Sequence, residues 1–378
     1  MRSILLLRNA SATLGGIEGQ VQRFAAALMQ DRRLNPLVGT TDCDGAFAQR
    51  LVQDGIEVRG YRRLRSGRIE LDSALRAKLR SGEIVAVQTY GVRESFVGRQ
   101  LRWQYPVARH IFRVQTYIDC ANIPTWRKYL YHEADRLTSS CVDAYVANGA
   151  YIAAELVQTA RIRPDKVHVI VNGRAALGPC NCADEGLQPT VAMVANFVHG
   201  KGHDVLIRAM ALLKNRQGLR VTARLIGGDP SGEDALGSAR ESCLTLARAE
   251  GVEGQLDFRG YSSDVYQAAR DVPVWVLPSD SEGVPNVVLE GMSLGKLVIA
   301  SRVGGVPELI EHGKTGFLHS HGDPEQLALL LLRVFRGGPA SFINLRQAAY
   351  QRWKAHFTMS RMMEQFWELY GKLGILAR

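Results

Sequence analysis

Two glutamates eight positions apart, Glu282 and Glu290, bracket the run Gly283-Val284-Pro285-Asn286-Val287-Val288-Leu289. Carboxylates accept hydrogen bonds from pairs of hydroxyls, so this pair suits a polyhydroxylated ligand. The residues between them suit a phosphate. Proline is favoured at a helix start because its missing N–H would have no partner there, so a helix is expected from Pro285 or Asn286. The open amides of a first turn and the helix dipole attract an anion. Glu282 then stands in a loop and Glu290 about one turn inside the helix. Spacing alone does not decide this, since a capping glutamate and a surface glutamate have the same signature. The acid and nucleophile of a glycosidase are also paired carboxylates, but that chemistry calls for no phosphate site.

Two further loops could serve the same ligand. In Asn196-Phe197-Val198-His199-Gly200-Lys201-Gly202 a lysine stands between two glycines that leave room for a phosphate. In Gly15-Gly16-Ile17-Glu18-Gly19 adjacent glycines precede a helical pattern and let the backbone approach a ligand closely. This loop does not fit G-x-G-x-x-G, so a dinucleotide fingerprint is not supported. Gly313-Lys314-Thr315 resembles the end of a Walker A loop, but Glu308 stands where that motif needs glycine.

The elements that must position these loops alternate along the chain. Apolar runs at 4–7, 84–87, 111–114, 145–147 and 167–171 read as buried strands separated by helix-length segments. Ile17, Val21, Phe24, Ala25 and Leu28 fall at helical spacing, so 17–30 is an amphipathic helix. The aperiodic stretch 174–189, with its Gly, Pro, Asn and Asp, reads as an interdomain linker. A second series follows, with strands at 191–195, 221–226, 256–258, 274–277 and 297–300 and helices near 203–215, 232–250, 286–294 and 323–335. Such alternation predicts parallel sheets covered by helices on both faces. In these sheets ligands bind beyond the carboxyl ends of the strands, which is where all three loops lie. The aromatic-rich helix 362–373, with Phe366, Trp367 and Tyr370, is expected to be docked.

Bulk properties agree with a folded protein of two domains. The chain has 378 residues, 46% hydrophobic and 22% charged. No apolar run approaches the roughly 18–20 residues of a membrane span, and 4–7 is too short for a signal-peptide core of ~7–15. Six cysteines form no CxxC pair and no zinc framework, so reduced thiols in the cytoplasm are expected. The net charge is +10 and uneven: residues 1–185 hold 26 Lys+Arg against 18 Asp+Glu. Arg59, Arg62, Arg63, Arg65 and Arg68 form the densest cluster, read either as a solvated loop or as a contact for anionic headgroups. No nucleic-acid-binding motif accompanies the charge.

Together these residues resemble the retaining, metal-independent glycosyltransferases of the GT-B fold, the family 4 group. Leu277-Pro-Ser-Asp-Ser-Glu-Gly-Val-Pro-Asn-Val-Val-Leu-Glu290 is similar to that family's E-x7-E donor motif. Gly295-Lys-Leu-Val-Ile-Ala-Ser-Arg-Val-Gly-Gly-Val-Pro-Glu-Leu-Ile310 continues the likeness, and Lys201-Gly202, Gly227-Gly228 and Phe258-Arg-Gly260 precede it in order. The resemblance implies two Rossmann-like doubly wound α/β domains facing across a cleft: residues 1–173 for the acceptor, a linker at 174–189, and 190–355 for the donor. A C-terminal helix within 356–378 would cross back onto the first domain.

The resemblance also implies roles. Glu290 would bind the ribose of a nucleotide, Glu282 the donor sugar and Lys201 the diphosphate. Gly283, Val284, Pro285, Asn286 and Val287 would line sugar and phosphate, with Asn196, Gly260, Gly15 and Gly16 around them. The implied reaction moves a hexose from a UDP-, GDP- or ADP-sugar to a glycan or lipid-linked acceptor hydroxyl, without cofactor or metal, in surface polysaccharide biosynthesis. The implied location is cytoplasmic, with peripheral contact at the inner face of a membrane through the basic first domain. Three departures stand out. Asn196 replaces an arginine usual five residues before the lysine. Arg174 and Ala175 follow Asn172-Gly173 where an acidic residue is usual. A first-domain histidine is missing, which leaves Gln88 or Gln115 as its replacement. A non-catalytic relative that binds a nucleotide sugar, or a nucleotide-sugar epimerase, is the alternative reading.

Overall fold

The structure, a computed structural model, describes residues 2–9, 16–65, 67–115, 124–180, 189–229, 239–262 and 264–376. The chain divides into two compact units, Met1–Val171 with Met362–Arg378, and Asn172–Arg361.

The first unit carries β1 (Ser3–Leu7), β2 (Asn35–Thr40), β3 (Glu57–Arg63), β4 (Ile69–Leu71), β5 (Ile84–Tyr90), β6 (Arg109–Val114), β7 (Ala144–Ala147) and β8 (Val167–Val169). Its helices are α1 (Gly16–Asp31), α2 (Ala46–Gln53), α3 (Ser73–Arg80), α4 (Val92–Gln104), α5 (Thr125–Thr138) and α6 (Ala150–Gln158). Among the described residues the sheet order is β4-β3-β2-β1-β5-β6-β7-β8. Strand β1 is parallel to both β2 and β5 and buries every side chain, as a central strand covered on both faces must. Only β4 pairs antiparallel, with β3. Here the sequence reading needs a correction. Arg59, Arg62 and Arg63 lie on strand β3 and not in a loop, and Arg59 is paired with Glu57. The strand is half-exposed and carries no apolar run, so hydrophobic patterning did not mark it. Strand β2 went unread because Pro36 and Gly39 interrupt its pattern.

The second unit carries β9 (Thr190–Val194), β10 (Thr222–Ile226), β11 (Leu256–Gly260), β12 (Val274–Leu277), β13 (Leu297–Ser301) and β14 (Phe317–His319). Its helices are α7 (His203–Gln217), α8 (Ala239–Ala249), α9 (Val265–Ala269), α10 (Asn286–Ser293), α11 (Val306–Leu309), α12 (Pro324–Gly337) and α13 (Ile343–His356). The order is β11-β10-β9-β12-β13-β14, with each described pairing parallel. The core between sheet and helices gathers Val191, Met193, Met210, Leu225, Val276, Ile299 and Leu331. Both units are therefore doubly wound α/β domains. Of the expected linker 174–189, residues 174–180 and 189 belong to the second unit, and 181–188 lie outside the described residues.

The last helix, α14 (Met359–Lys372), begins in the second unit and ends packed in the first. Its Phe366 meets Phe24 of α1 at 4.8 Å between ring centroids. The Trp367 indole N–H donates to Asp31 at 3.0 Å, and the Tyr370 hydroxyl donates to Gln88 Oε1 at 2.7 Å. Each such buried aromatic contributes roughly 1.5–3 kcal/mol. That packing explains why a helix so rich in aromatics is not free.

Candidate active site in the second unit

In the second sheet β9 sits between β10 and β12, the point where the strand order reverses. The loops leaving β9 and β12 therefore emerge side by side, and ligands of open α/β sheets bind at such a point. Backbone contacts zip the loops together. Asp280 N donates to Gly200 O at 2.8 Å, and Gly305 N donates to Gly283 O at 2.9 Å. Two glycines make this approach possible. Gly202 caps α7 with φ +79°, and a Cβ there would overlap the Pro278 carbonyl. Gly304, with φ +48°, touches the Glu282 carbonyl so closely that a Cβ would overlap it. Any side chain at either position would push the loops apart.

On this frame Lys201 Nζ lies 2.7 Å from Glu282 Oε1, with the two side chains 31% and 12% exposed. Helix α10 starts at Asn286 behind Pro285, and no side chain caps it. Its first turn thus keeps the open amides that suit an anion. Val284 and Pro285 are buried, Gly283, Asn286 and Val287 half-buried. Glu290, one turn on, is 5% exposed and forms an ion pair with Arg174, itself 7% exposed. Asn196 is a clamp: its Oδ1 accepts from Gly228 N at 3.2 Å and ties the exits of β9 and β10. Gly260 accepts from Gly227 N at 2.9 Å at the neighbouring exit. Lys201, Glu282, the start of α10, Glu290, Asn196 and Gly260 thus share the carboxyl edge of one sheet.

The remaining candidates lie in the first unit. Gly16 opens α1, and Gly15 lies outside the described residues. The two glutamines differ in kind. Gln88 is fully buried, donating to the Tyr90 hydroxyl at 2.6 Å and accepting from Tyr370, so its amide is committed at both ends. Gln115 follows β6 and lines a cavity of about 20 Å³ with Ile17, Gly91 and Arg113. Among the described residues its Nε2 has no hydrogen-bond partner. Among the described residues of either unit, no group of three or more His, Cys, Asp or Glu is placed to hold a metal ion.

The family model described as Glycosyl transferases group 1 matches residues 188–336, and that of the Glycosyl transferase 4-like domain matches residues 15–173. The chain belongs to the group 1 glycosyl transferases. It is 35% identical over 213 residues to the D-inositol 3-phosphate glycosyltransferase of Streptomyces scabiei, covering 50% of this chain and 45% of that protein. The amylovoran biosynthesis glycosyltransferase AmsK of Erwinia amylovora is 28% identical over 189 residues, 48% of this chain and 44% of that one. The chain thus spans about half the length of the curated relatives it matches. Among solved structures, HepE of Anabaena in complex with UDP superposes with a TM-score of 0.81 at 21% identity, covering 98% of this chain and 100% of that one. A glycosyltransferase from Rickettsia africae gives 0.79 at 19%, covering 98% of each chain. The shared fold is GT-B.

In this group 1 glycosyl transferase, two features of the site escaped the sequence reading. The Gly304-Gly305 turn that braces Glu282 had a signal, adjacent glycines after a strand. The Arg174–Glu290 pair had none, because 116 positions separate its partners.

His203, at the start of α7, stacks on Phe197 at 4.7 Å. Burial pushes its imidazole down to about 4, with Asp204 and the Ala195 backbone pulling weakly upward and Lys201 adding to the fall. A histidine at its ordinary pKa of about 6.5 in the unfolded chain takes up a proton that the folded site refuses. Its contribution to stability is complete above pH 6.5 and is lost as pH falls toward 4. At pH 5 the loss is about 2 kcal/mol. Calorimetric unfolding at pH 7 and pH 5 should show that decline in the wild type and a smaller one, by that amount, in His203→Gln. Equal declines would contradict it.

Proposed function

We propose that this chain transfers a hexose from a nucleotide-diphosphate sugar to a hydroxyl of a glycan or lipid-linked acceptor, with retention of configuration and without a metal ion. The observation that carries the reading is the Lys201–Glu282 pair at 2.7 Å beside the uncapped start of α10. In that setting the ammonium and the helix amides suit the diphosphate, Glu282 the sugar hydroxyls and Glu290 the ribose hydroxyls. Relatives point the same way: HepE has been crystallised with UDP-glucose, and AmsK is named for amylovoran biosynthesis. A UDP-sugar is accordingly the first donor to test, and assembly of a surface polysaccharide the proposed setting.

Before the donor arrives, Lys201 and Glu282 neutralise each other. A donor offers each a better partner, a phosphate for the ammonium and hydroxyls for the carboxylate. As the C1–O bond to the diphosphate breaks, negative charge collects on the leaving phosphate, where Lys201 and the α10 amides stabilise it. The acceptor oxygen bonds to C1 on the face the phosphate leaves, and its proton passes to a phosphate oxygen. No strong protein base is then required, so a neutral Gln115 suffices as the proposed acceptor-side residue of the first unit.

The test incubates the protein with UDP-, GDP- and ADP-sugars, following melting temperature and nucleotide release. One donor class should raise the melting temperature, and Glu290→Gln should abolish most of the rise. Lys201→Ala should lower kcat about 100- to 1,000-fold, the scale of losing one preorganised charge contact, and EDTA should change nothing. A melting curve unmoved by every nucleotide sugar would refute the reading. Binding without transfer to any glycan or lipid-linked acceptor would favour the non-catalytic alternative.

Peripheral membrane contact is part of the same proposal. No described helix is long and apolar enough to cross a membrane. Helix α5, however, exposes Trp126 (60%), Tyr129 (63%), Leu130 (55%) and Leu137 (71%). Their spacing puts them within one stripe about 100° wide, and the Arg127 guanidinium lies over the Trp126 ring, 5.2 Å from its centroid. Glu133, inside the stripe, is neutralised by Arg136 at 2.7 Å. Aromatic rings beside cations suit an anionic lipid surface. The protein should sediment with phosphatidylglycerol vesicles and less with phosphatidylcholine, and Trp126→Ser with Tyr129→Ser should release it. Retention by the double variant would assign the contact elsewhere.

A further inference from the structure

We propose that Arg174 is the second phosphate-binding cation of the donor site, held on Glu290 while the site is empty and shared with the phosphates of a nucleoside diphosphate when one binds. The inference rests on the reading of this site as a nucleotide-sugar site and names a residue that reading does not use.

Arg174 stands where its backbone cannot drift. Its N–H donates to the Phe357 carbonyl at 2.9 Å, its carbonyl accepts from Met359 N at 3.1 Å, and it bridges to Thr358. With the main chain pinned, the side chain alone can respond to a ligand. That side chain lies on Glu290, and both are more than nine-tenths buried. A buried ion pair adds little net stability over apolar packing, while an unpaired buried charge is costly. The pair is therefore better explained by what replaces it than by what it holds together.

The charges of the site give the reason. Lys201 faces Glu282 and Arg174 faces Glu290, so the four side chains sum to zero. Sugar and ribose hydroxyls bring no charge when they reach the two carboxylates. The diphosphate brings two negative charges. With Lys201 as sole cation the loaded site would hold four negative charges against one positive, and the start of α10 supplies only about half a charge. Asn196, a polar side chain at the same strand exits, is neutral and spends its Oδ1 on Gly228 N. Arg174 corrects the balance. A guanidinium presents several N–H donors in one plane and can serve a carboxylate with one edge and a phosphate with another, so Glu290 keeps a partner throughout.

The test compares UDP, UMP and uridine by calorimetry on the wild type, Arg174→Gln and Arg174→Lys, with the guanosine and adenosine series alongside. Removing one charge-assisted contact should weaken UDP about 10- to 100-fold. Uridine, which lacks phosphate, should change by less than about threefold, and Arg174→Lys should recover most of the loss, as a retained cation would. Because Arg174→Gln strands a buried carboxylate, the comparison is repeated in a Glu290→Gln background, where the same selective loss of UDP is expected. If Arg174→Gln instead tightens UDP and uridine alike, Arg174 only blocks Glu290 and the proposal fails. Equal weakening of uridine and UDP also defeats it, by assigning Arg174 to the ribose. If the wild type binds no diphosphate of any base, the nucleotide-sugar reading itself has failed, a result distinct from both.

Discussion

A lysine ammonium 2.7 Å from a glutamate carboxylate, on loops that leave neighbouring strands, sets what the second unit can bind. Everything around the pair serves to hold those loops at that separation. Gly202 and Gly304 let backbone meet backbone, two interloop hydrogen bonds fix the register, and the uncapped start of α10 lies a few residues beyond. Even a fully exposed pair adds only ~1 kcal/mol or less to stability, and this one, half-buried, also loses hydration. On the proposed function its value is positional: it keeps a cation and an acceptor together until a ligand with an anionic and a hydroxylated part separates them.

The two units share a fold, and charged pairs stand at the strand ends of both: in the first, Arg8 beyond β1 meets Glu18 of α1 at 2.7 Å. In the second the carboxyl edge gathers charged side chains in matched pairs. In the first the described candidates are amides and backbone: Gln115 over a small cavity, with Gly91 and the first turn of α1 beside it. Helix α14 contributes to the core of the first unit, where its Tyr370 donates to the buried Gln88.

The sequence made most of the second unit legible. Proline ahead of Asn286 announced the start of α10 to within one residue, and the glycines around Lys201 announced a tight loop, because both follow from local backbone chemistry. The aromatics of α14 announced docking, because three rings on a short helix must find a core. What local chemistry does not encode stayed hidden. β3 pairs through its main chain while its arginines face water, so no apolar alternation marked it. Asn196 was a ligand candidate by position, and only the fold revealed that Gly228 takes its oxygen. The partner of Glu290 lies 116 residues away, joined by a backbone bridge between Arg174 and Thr358 that no periodicity foretells.

The central claim is that Lys201 and Glu282 restrain each other until a donor parts them. It is tested most directly by Glu282→Gln, with UDP affinity measured by calorimetry and transfer from a UDP-sugar measured by product formation. The account predicts that the variant binds UDP at least as tightly as the wild type, because Lys201 is released, while transfer falls about 100-fold or more with the sugar contact gone. A loss of UDP affinity as large as that of Lys201→Ala, or transfer that survives the substitution, would contradict it.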